Sequence, residues 1–481
     1  MIKSVKFKNF RNLNGKYEFN NTLNVIIGKN NSGKTNVLDG IRLAFSAITN
    51  DYFKLSDSDF KDSKDDHVIE ISVELQYNSI SSLNFCDDNG QNRCGFITYV
   101  KKTKSGRYIK TFSLLNGCNI DVDIVREDEN IPNLYLIPLI RVEDIYTAGL
   151  TTGISTFIDS EEKYKKLKDD SKKAIKKELD SKIQKFKELC KKFNENLDIE
   201  LTDPKISDEK VYIVDGDKEH NFHIGSGYKS IANIMLNTLD ENFNIILIDE
   251  IENHLHPALI RTLIRELRKI DNTIIISTTH SSVVINELKM EEIIDISGKS
   301  IDSIGNMHIK KLNTFLHPGR NELMLADNIV LVEGYTEEVL LKYYLSKNNY
   351  NWTIINVAGV MFEPYIQLTS LLNKKIIVMS DNDKLLSDEK KPSSRFNNLK
   401  LLCAQKGIKL IEIENTLETD LKINGFLNNC SDLLEKHKKY PEFYVAKQKK
   451  KVEIAEKLIE NDIDLSNWHA IKEIKNEFES N

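Results

Sequence analysis

The sequence predicts an α/β protein of two units in tandem: an α/β unit interrupted by a helical insert, then a unit built on a parallel sheet. Three observations predict this. The glycine-rich stretch "GKNNSGKT" stands between an apolar run and an amphipathic segment. A second apolar run, "NIILIDE", ends in two carboxylates much later in the chain. From Asn321 onward, strand-like and helix-like stretches alternate, which is the order of βαβ units.

The chain has 481 residues, a length that suggests two to four domains. It is 40% hydrophobic and 29% charged, an ordinary globular composition. The formal net charge of -6 gives no sign of nucleic-acid binding, so any such contact must come from local patches. Six scattered cysteines form no C-x-x-C pair, so neither a zinc site nor a disulfide scaffold is expected. The start "MIKSVKFKNF" lacks a signal-like apolar core, and no run reaches the ~20 apolar residues that span a bilayer. The expected location is the cytoplasm, away from any membrane.

Within residues 1–158, "LNVIIG" reads as a buried strand and "VIEISVELQY" alternates as a half-buried strand does. The character changes at residue 159. From Asp159 up to Pro204 there is no Gly or Pro, and Tyr164, Leu167, Ile175, Leu179, Ile183, Phe186, Cys190, Phe193 and Leu197 recur near a helical period. Residues 159–204 therefore read as an inserted helix or helical hairpin, either packed on its own domain or serving as a dimerisation arm. Strand-like runs return over 205–320 in "KVYIVDG", "NIILIDE" and "NTIIIST", and residues 321–481 form the last unit.

Gly28, Gly33, Lys34 and Thr35 match the phosphate-loop pattern G-x-x-x-x-G-K-[ST], in the required strand–loop–helix context. Backbone N–H groups, including that of Asn30, can turn inward around phosphate oxygens there. Lys34 would reach the β- and γ-phosphates of ATP, and Thr35 would ligate Mg²⁺. Asp249 would complete the Mg²⁺ shell, and Glu250 would orient or activate the attacking water. His280 follows the strand "NTIIIST" and suits a contact with the γ-phosphate. Between these elements Gly225, Ser226 and Gly227 precede a helix, where Ser226 could equally serve as a plain N-cap.

The last unit repeats one feature. "NIVLVEGYTEE" ends an apolar strand at Glu333, with Glu337 four residues on, and "KKIIVMSDND" ends another at Asp381 and Asp383. Asp381 and Asp383 point the same way by strand alternation. In a parallel sheet the carboxyl ends of strands gather on one edge. Four carboxylates there repel one another unless cations neutralise them, and all-oxygen ligands favour Mg²⁺ or Mn²⁺. Two such ions roughly 4 Å apart can stabilise both the attacking and the leaving oxygen of a phosphodiester.

The order of phosphate loop, Gly-Ser-Gly loop, Asp-Glu and His resembles the ABC-type ATPases over most of residues 1–310. The opening "IKSVKFKNFRNLNGKYEFNN" is similar to their SMC/RecF branch. In that family the loop at Ser226 and Gly227 grips nucleotide held by a partner subunit, which implies an even-numbered homo-oligomer, a homodimer or homotetramer. E-G-x-x-E followed by D-x-D resembles the Toprim domain of topoisomerases, primases and certain nucleases. An ABC-type ATPase followed by a Rossmann-like Toprim domain resembles the OLD (overcoming lysogenization defect) family of nucleases, which includes the nuclease subunit of the Gabija antiphage system. The resemblance implies further roles. "NTLETDLKI" would place Glu418 and Asp420 near a second metal ion, and "KQKKKVEIAEKL" would bring Lys451, or Lys449 instead, to the phosphate. Lys447, Lys449, Lys450 and Lys451 together suit a phosphate backbone. The family's Gly-Gly near the second Toprim strand is Ala358-Gly359 here.

These readings converge on a metal-dependent DNA endonuclease or nickase regulated by an ATPase, with ATP, one ion beside it and two ions at the carboxylates. By resemblance its role is antiphage defence, with a helicase or reverse-transcriptase system as partner. The alternative is an ATP-dependent DNA-binding sensor or scaffold whose Toprim domain is inactive or partner-activated. A topoisomerase would need an attacking tyrosine on a further domain, a primase would need zinc ligands, and a RecF-like ATPase would lack the appended carboxylates.

Overall fold

The computed structural model describes residues 2–29, 31–49, 53–61, 68–126, 139–140, 184–194, 197–201, 211–215, 226–239, 245–271, 273–296, 320–348, 350–359, 362–372, 374–384, 391–442, 444–446 and 451–479. The chain divides into two compact units, Met1–Ile301 and Asp302–Asn481. The expected boundary at 320/321 lies close by, and residues 297–319 fall outside the described residues.

The strands of the first unit are β1 (Ile2–Phe10), β2 (Leu13–Glu18), β3 (Leu23–Ile27), β4 (Ile69–Leu75), β5 (Asn84–Cys86), β6 (Asn92–Lys102), β7 (Tyr108–Leu114), β8 (Leu139–Ile140), β9 (Leu197–Leu201), β10 (Val211–Asp215), β11 (Ile245–Ile248), β12 (Ile274–Thr279) and β13 (Ile293–Asp295). One sheet runs β2-β1-β4-β6-β5, with β7 also on β6, and all its pairings are antiparallel. Its strand β4 alternates buried and half-buried residues, as "VIEISVEL" predicts.

The other sheet runs β13-β3-β12-β11-β8 and is parallel throughout. Strands β3, β11 and β12 are buried along their whole length, which explains their unbroken apolar runs. The helix Lys34–Thr49 packs between the sheets. Its Val37, Leu38, Ile41 and Phe45 share one core with Phe7, Val73 and Phe96 on one side and Ile26, Leu247 and Ile276 on the other. Each such buried side chain contributes about 1.5–3 kcal/mol of transfer free energy. This core holds the phosphate loop, which joins β3 to the helix.

The insert departs from expectation at its end. Residues 184–191 are helical, with Phe186 and Cys190 buried as the periodicity requires. Lys192 pairs with Glu266 at 2.7 Å, which ties this helix to its own unit. The helix does not reach 204: Leu197–Leu201 is β9, paired antiparallel with β10. "LDIEL" alternates apolar and acidic residues, so the period there is 2, and the lack of Gly and Pro concealed the change. The remainder of the expected helix, 159–183, lies outside the described residues.

In the second unit β14 (Asn328–Val332), β15 (Thr353–Asn356), β16 (Lys375–Asp381) and β17 (Lys409–Ile413) form a parallel sheet in the order β15-β14-β16-β17. A small antiparallel pair follows, β18 (Leu434–Lys436) with β19 (Tyr444–Ala446). Val330, Val332, Ile377, Met379 and Ile411 of the sheet share a core with Leu340, Leu421, Leu458, Trp468 and Ile471 of the helices. The chain leaves β14 toward one edge and β16 toward the other. The crevice between their carboxyl ends is therefore the switch point of the sheet, where open α/β folds bind ligands.

Candidate active sites

In the first unit the carboxyl ends of β3, β12 and β11 stand side by side, with Thr279 in register with Ile27 and Ile248 with Ser277. Thr35 Oγ1 donates to Asp249 Oδ1 at 3.0 Å, so the phosphate-loop threonine and the aspartate meet as expected. Thr278 Oγ1 donates to the same oxygen at 2.7 Å and accepts the Glu250 amide at 2.8 Å. Glu250 lies in the left-handed region, φ 53°, which ends the strand sharply and leaves its carboxylate exposed.

Glu250 and Glu252 both face His280: its Nδ1 is 3.5 Å from an oxygen of each. Glu252 also accepts from the His280 amide at 2.9 Å and from Thr279 Oγ1 at 2.8 Å, and Asn253 Nδ2 donates to Glu250 at 2.9 Å. Lys34 is buried, and its ammonium donates to the carbonyls of Gly28, at 2.9 Å, and Lys29, at 2.7 Å. Burial pulls its pKa below the ordinary value, against the opposing pull of Glu250, Glu252 and Asp249.

Gly33 has φ +102°, and a Cβ there would lie 2.5 Å from the Asn12 side chain. Ser226 opens the helix Ser226–Leu239, and a Cβ on Gly227 would lie 2.6 Å from the His254 carbonyl. Only glycine lets the start of that helix pass so close to the segment after β11. Asn30 and Gly225 lie outside the described residues. Thr278, Glu252 and Asn253 escaped the motif reading, although "DEIEN" and "STTH" contain them.

In the second unit Glu333 follows β14 and Asp381 ends β16, so the switch-point crevice carries both. Ser380 Oγ donates to Glu333 Oε2 at 3.0 Å across the two strands. The Gly359 amide donates to the Glu333 carbonyl at 2.7 Å, with Ala358 and Gly359 both left-handed, at φ 53° and 97°. That tight turn is what the expected Gly-Gly position provides. Glu337 is buried in the first turn of the helix Tyr335–Lys347, and its Oε2 folds back to within 3.0 Å of where a Cβ on Gly334 would lie. Asp383 has φ 51°, and its amide donates to the Asn415 carbonyl at 3.3 Å. Asn382 is fully buried and braces this end: its amide group donates to Glu412 at 2.8 Å and Glu414 at 3.2 Å, and its oxygen accepts the Asn415 amide at 2.8 Å.

One residue that the sequence reading missed joins the carboxylates. Arg395 Nη1 lies 3.0 Å from Glu333 Oε1, and Nη2 lies 2.7 Å from Asp383 Oδ2 and 3.2 Å from Glu333 Oε2. Burial opposes the Arg395 charge, but Glu333 and then Asp383 outweigh it and raise its pKa above the ordinary value. No motif marks Arg395 in the sequence.

Glu418 and Asp420 are buried in the helix Leu417–Ile423, which Thr416 caps and Thr419 ties to the Tyr444 carbonyl at 2.8 Å. The Asp420 carboxylate is taken up by Trp468 Nε1 at 2.7 Å and His469 Nε2 at 3.0 Å. Asp420 thus anchors the C-terminal helix His469–Glu479, a role the motif reading did not include. Lys451 begins the helix Lys451–Glu460, and Lys447, Lys449 and Lys450 lie outside the described residues.

The donors fit a hard divalent cation in kind: all are oxygen, and the cluster already holds a cationic guanidinium. Among the described residues, no three His, Cys, Asp or Glu side chains stand in an arrangement that would hold a metal ion at once. Fully buried beside this edge, Asn415 has neither carboxamide atom hydrogen-bonded, a cost of about 1–3 kcal/mol that a polar ligand would relieve.

Comparison with known proteins agrees with the geometry. Residues 1–123 match the AAA ATPase domain, residues 155–286 an AAA domain of the putative AbiEii toxin, type IV TA system, and residues 324–383 the Toprim domain of overcoming lysogenization defect protein-like proteins. The chain joins an ATPase domain to an OLD-like Toprim domain. Endonuclease GajA of Bacillus cereus (strain HuB5-5) is 26% identical over 277 residues, 48% of this chain and 38% of that protein. The DNA replication and repair protein RecF of Streptococcus gordonii is 26% identical over 164 residues, 31% of this chain and 41% of that protein. The chain thus spans about two-fifths of the length of these curated relatives. Among solved structures, an SMC head bound to the C-winged helix domain of ScpA is 17% identical with a TM-score of 0.46, covering 61% of this chain and 94% of that one. The SMC head domain from Thermotoga maritima is 12% identical with a TM-score of 0.37, covering 61% and 94%. In this ATPase–Toprim chain no described helix is long and apolar enough to cross a membrane.

Proposed function

We infer that the protein is a metal-dependent DNA endonuclease or nickase whose Toprim site is regulated by its ATPase domain. One observation carries this reading: Glu333 and Asp381 lie at the carboxyl ends of adjacent parallel strands, at the switch point, with Asp383 close enough to share a cation with Glu333. Mg²⁺ or Mn²⁺ bound there would polarise a phosphodiester and lower the pKa of attacking water. Glu333, Asp381 and Asp383 would hold the ion, and Glu337, Glu418 and Asp420 would serve a second. Asp420 would also anchor the C-terminal helix through Trp468 and His469. Lys451 would stabilise charge on the phosphate. Tyr335 adjoins Glu333 and is 57% exposed, so its ring is free to stack on a base of the bound strand.

In the ATPase domain, Lys34 would exchange its loop carbonyls for ATP phosphates, while Thr35 and Asp249 would hold Mg²⁺. Glu250 would orient the attacking water, with His280 beside it. Ser226 and Gly227 would reach nucleotide on a second copy, which makes a homodimer or a homotetramer the expected assembly. Antiphage defence in the cytoplasm, with a helicase or reverse-transcriptase system as partner, is the biological setting that the OLD-like Toprim domain supports.

The test is conversion of supercoiled plasmid to nicked or linear DNA with Mg²⁺ or Mn²⁺, with and without ATP. Wild type is expected to cut and Asp381→Ala to be inert. Equal cutting by both would overturn the assignment. The second reading is an ATP-dependent sensor or scaffold whose Toprim domain is inactive or partner-activated. The arginine-held carboxylates favour it, and absence of cutting by wild type under every metal and nucleotide would select it.

A further inference from the structure

Arg395 is a cation that the carboxylate cluster already holds. It occupies the second position of the helix Ser394–Lys406, just after the capping Ser393. Its guanidinium faces both oxygens of Glu333, Nη1 at 3.0 Å and Nη2 at 3.2 Å, and Nη2 is also 2.7 Å from Asp383, so one positive charge is shared between two carboxylates. Nη1 is buried and 3.0 Å from Glu333 Oε1, yet it makes no hydrogen bond of acceptable angle. The side chain remains 28% exposed, so it can leave toward solvent without disturbing the core.

We propose that Arg395 is the resident counter-ion of the metal-free Toprim site: it competes with the divalent cation for Glu333 and Asp383 and gives them up when the cation binds. This rests on the metal-site reading above. A guanidinium and a dication on the same two carboxylates repel, so each weakens the hold of the other. Arg395 therefore sets the cation concentration at which the site loads. Once displaced, it stays tethered at the start of its helix, within a side chain's reach of a phosphate bound at the cation.

The test is Mn²⁺ binding to the full chain by calorimetry and by electron paramagnetic resonance, without DNA or nucleotide. It compares wild type with Arg395→Gln, Arg395→Lys and Glu333→Gln, with melting temperatures taken with and without Mn²⁺. Arg395→Gln is expected to bind Mn²⁺ about tenfold more tightly, because no resident positive charge then opposes the dication at Glu333 and Asp383. It should melt lower than wild type without metal and gain more from added Mn²⁺. Arg395→Lys should fall between. A folded Arg395→Gln that binds Mn²⁺ no better than wild type overturns the proposal. If Glu333→Gln then still lowers binding, the metal site survives and only the competition is rejected. If Glu333→Gln binds as wild type does, the metal site fails and the proposal falls with it.

Discussion

The two candidate sites both sit at the carboxyl edge of a parallel sheet, but their carboxylates are held in opposite ways. Asp249 accepts from two hydroxyls, those of Thr35 and Thr278, with the Lys34 ammonium within electrostatic reach. Glu333 and Asp383 are held by a full positive charge on Arg395. Hydroxyls orient a carboxylate without cancelling its charge. A guanidinium orients it and cancels that charge. On the functions proposed above, the ATPase site would receive Mg²⁺ with its nucleotide, whereas the Toprim carboxylates would first have to be released.

Several substitutions break this contrast from one side or the other. The largest effect is expected for Asp381→Ala, a loss of DNA cutting of at least about 100-fold, beyond the usual cost of one stabilising group. The gel assay should show it with nucleotide hydrolysis unchanged. Next comes Asn382→Ala. It removes a buried carboxamide that serves Glu412, Glu414 and the Asn415 amide, and should cost the second unit roughly 2–3 kcal/mol in denaturant unfolding.

Thr278→Val keeps the shape of the ATPase site but deletes the hydroxyl between Asp249 and Glu250. ATP turnover should fall about tenfold, about 1.4 kcal/mol, while nucleotide affinity changes little, as steady-state kinetics against equilibrium binding would reveal.

The smallest effect is a pH dependence at the other end of the Toprim domain. The hydrogen bond to Asp420 raises the His469 pKa above its ordinary 6.5, with burial opposing. A raised folded-state pKa stabilises fully below the unfolded value of 6.5, and that part is lost as pH rises through the folded value. The melting temperature should therefore decline by no more than a few degrees as pH rises above 6.5, and His469→Gln should flatten the decline.

Much of this was legible in the sequence where the chemistry is local. Gly28 to Thr35 lie within one loop, and "NIILIDE" carries its carboxylates on the strand that places them. Glu333, Asp381 and Asp383 were legible because buried parallel strands announce their own ends. What escaped notice acts across the chain. Arg395 is 62 residues from Glu333, in a stretch whose sequence reads as an ordinary helix start. The hydrogen bonds that Trp468 and His469 give Asp420 were invisible to a motif reading because they span 48 and 49 residues. Strand β9 was read as helix because Gly and Pro, the usual breakers, are absent there, and the change of period spans five residues.

The most direct test of the whole account is one plasmid-cutting experiment with Mn²⁺ that compares Asp381→Ala and Lys34→Ala across an ATP series. The account predicts no product at any ATP concentration for Asp381→Ala. For Lys34→Ala it predicts cutting that no longer responds to ATP. Cutting by Asp381→Ala at the wild-type rate, or an unchanged ATP response in Lys34→Ala, would contradict it.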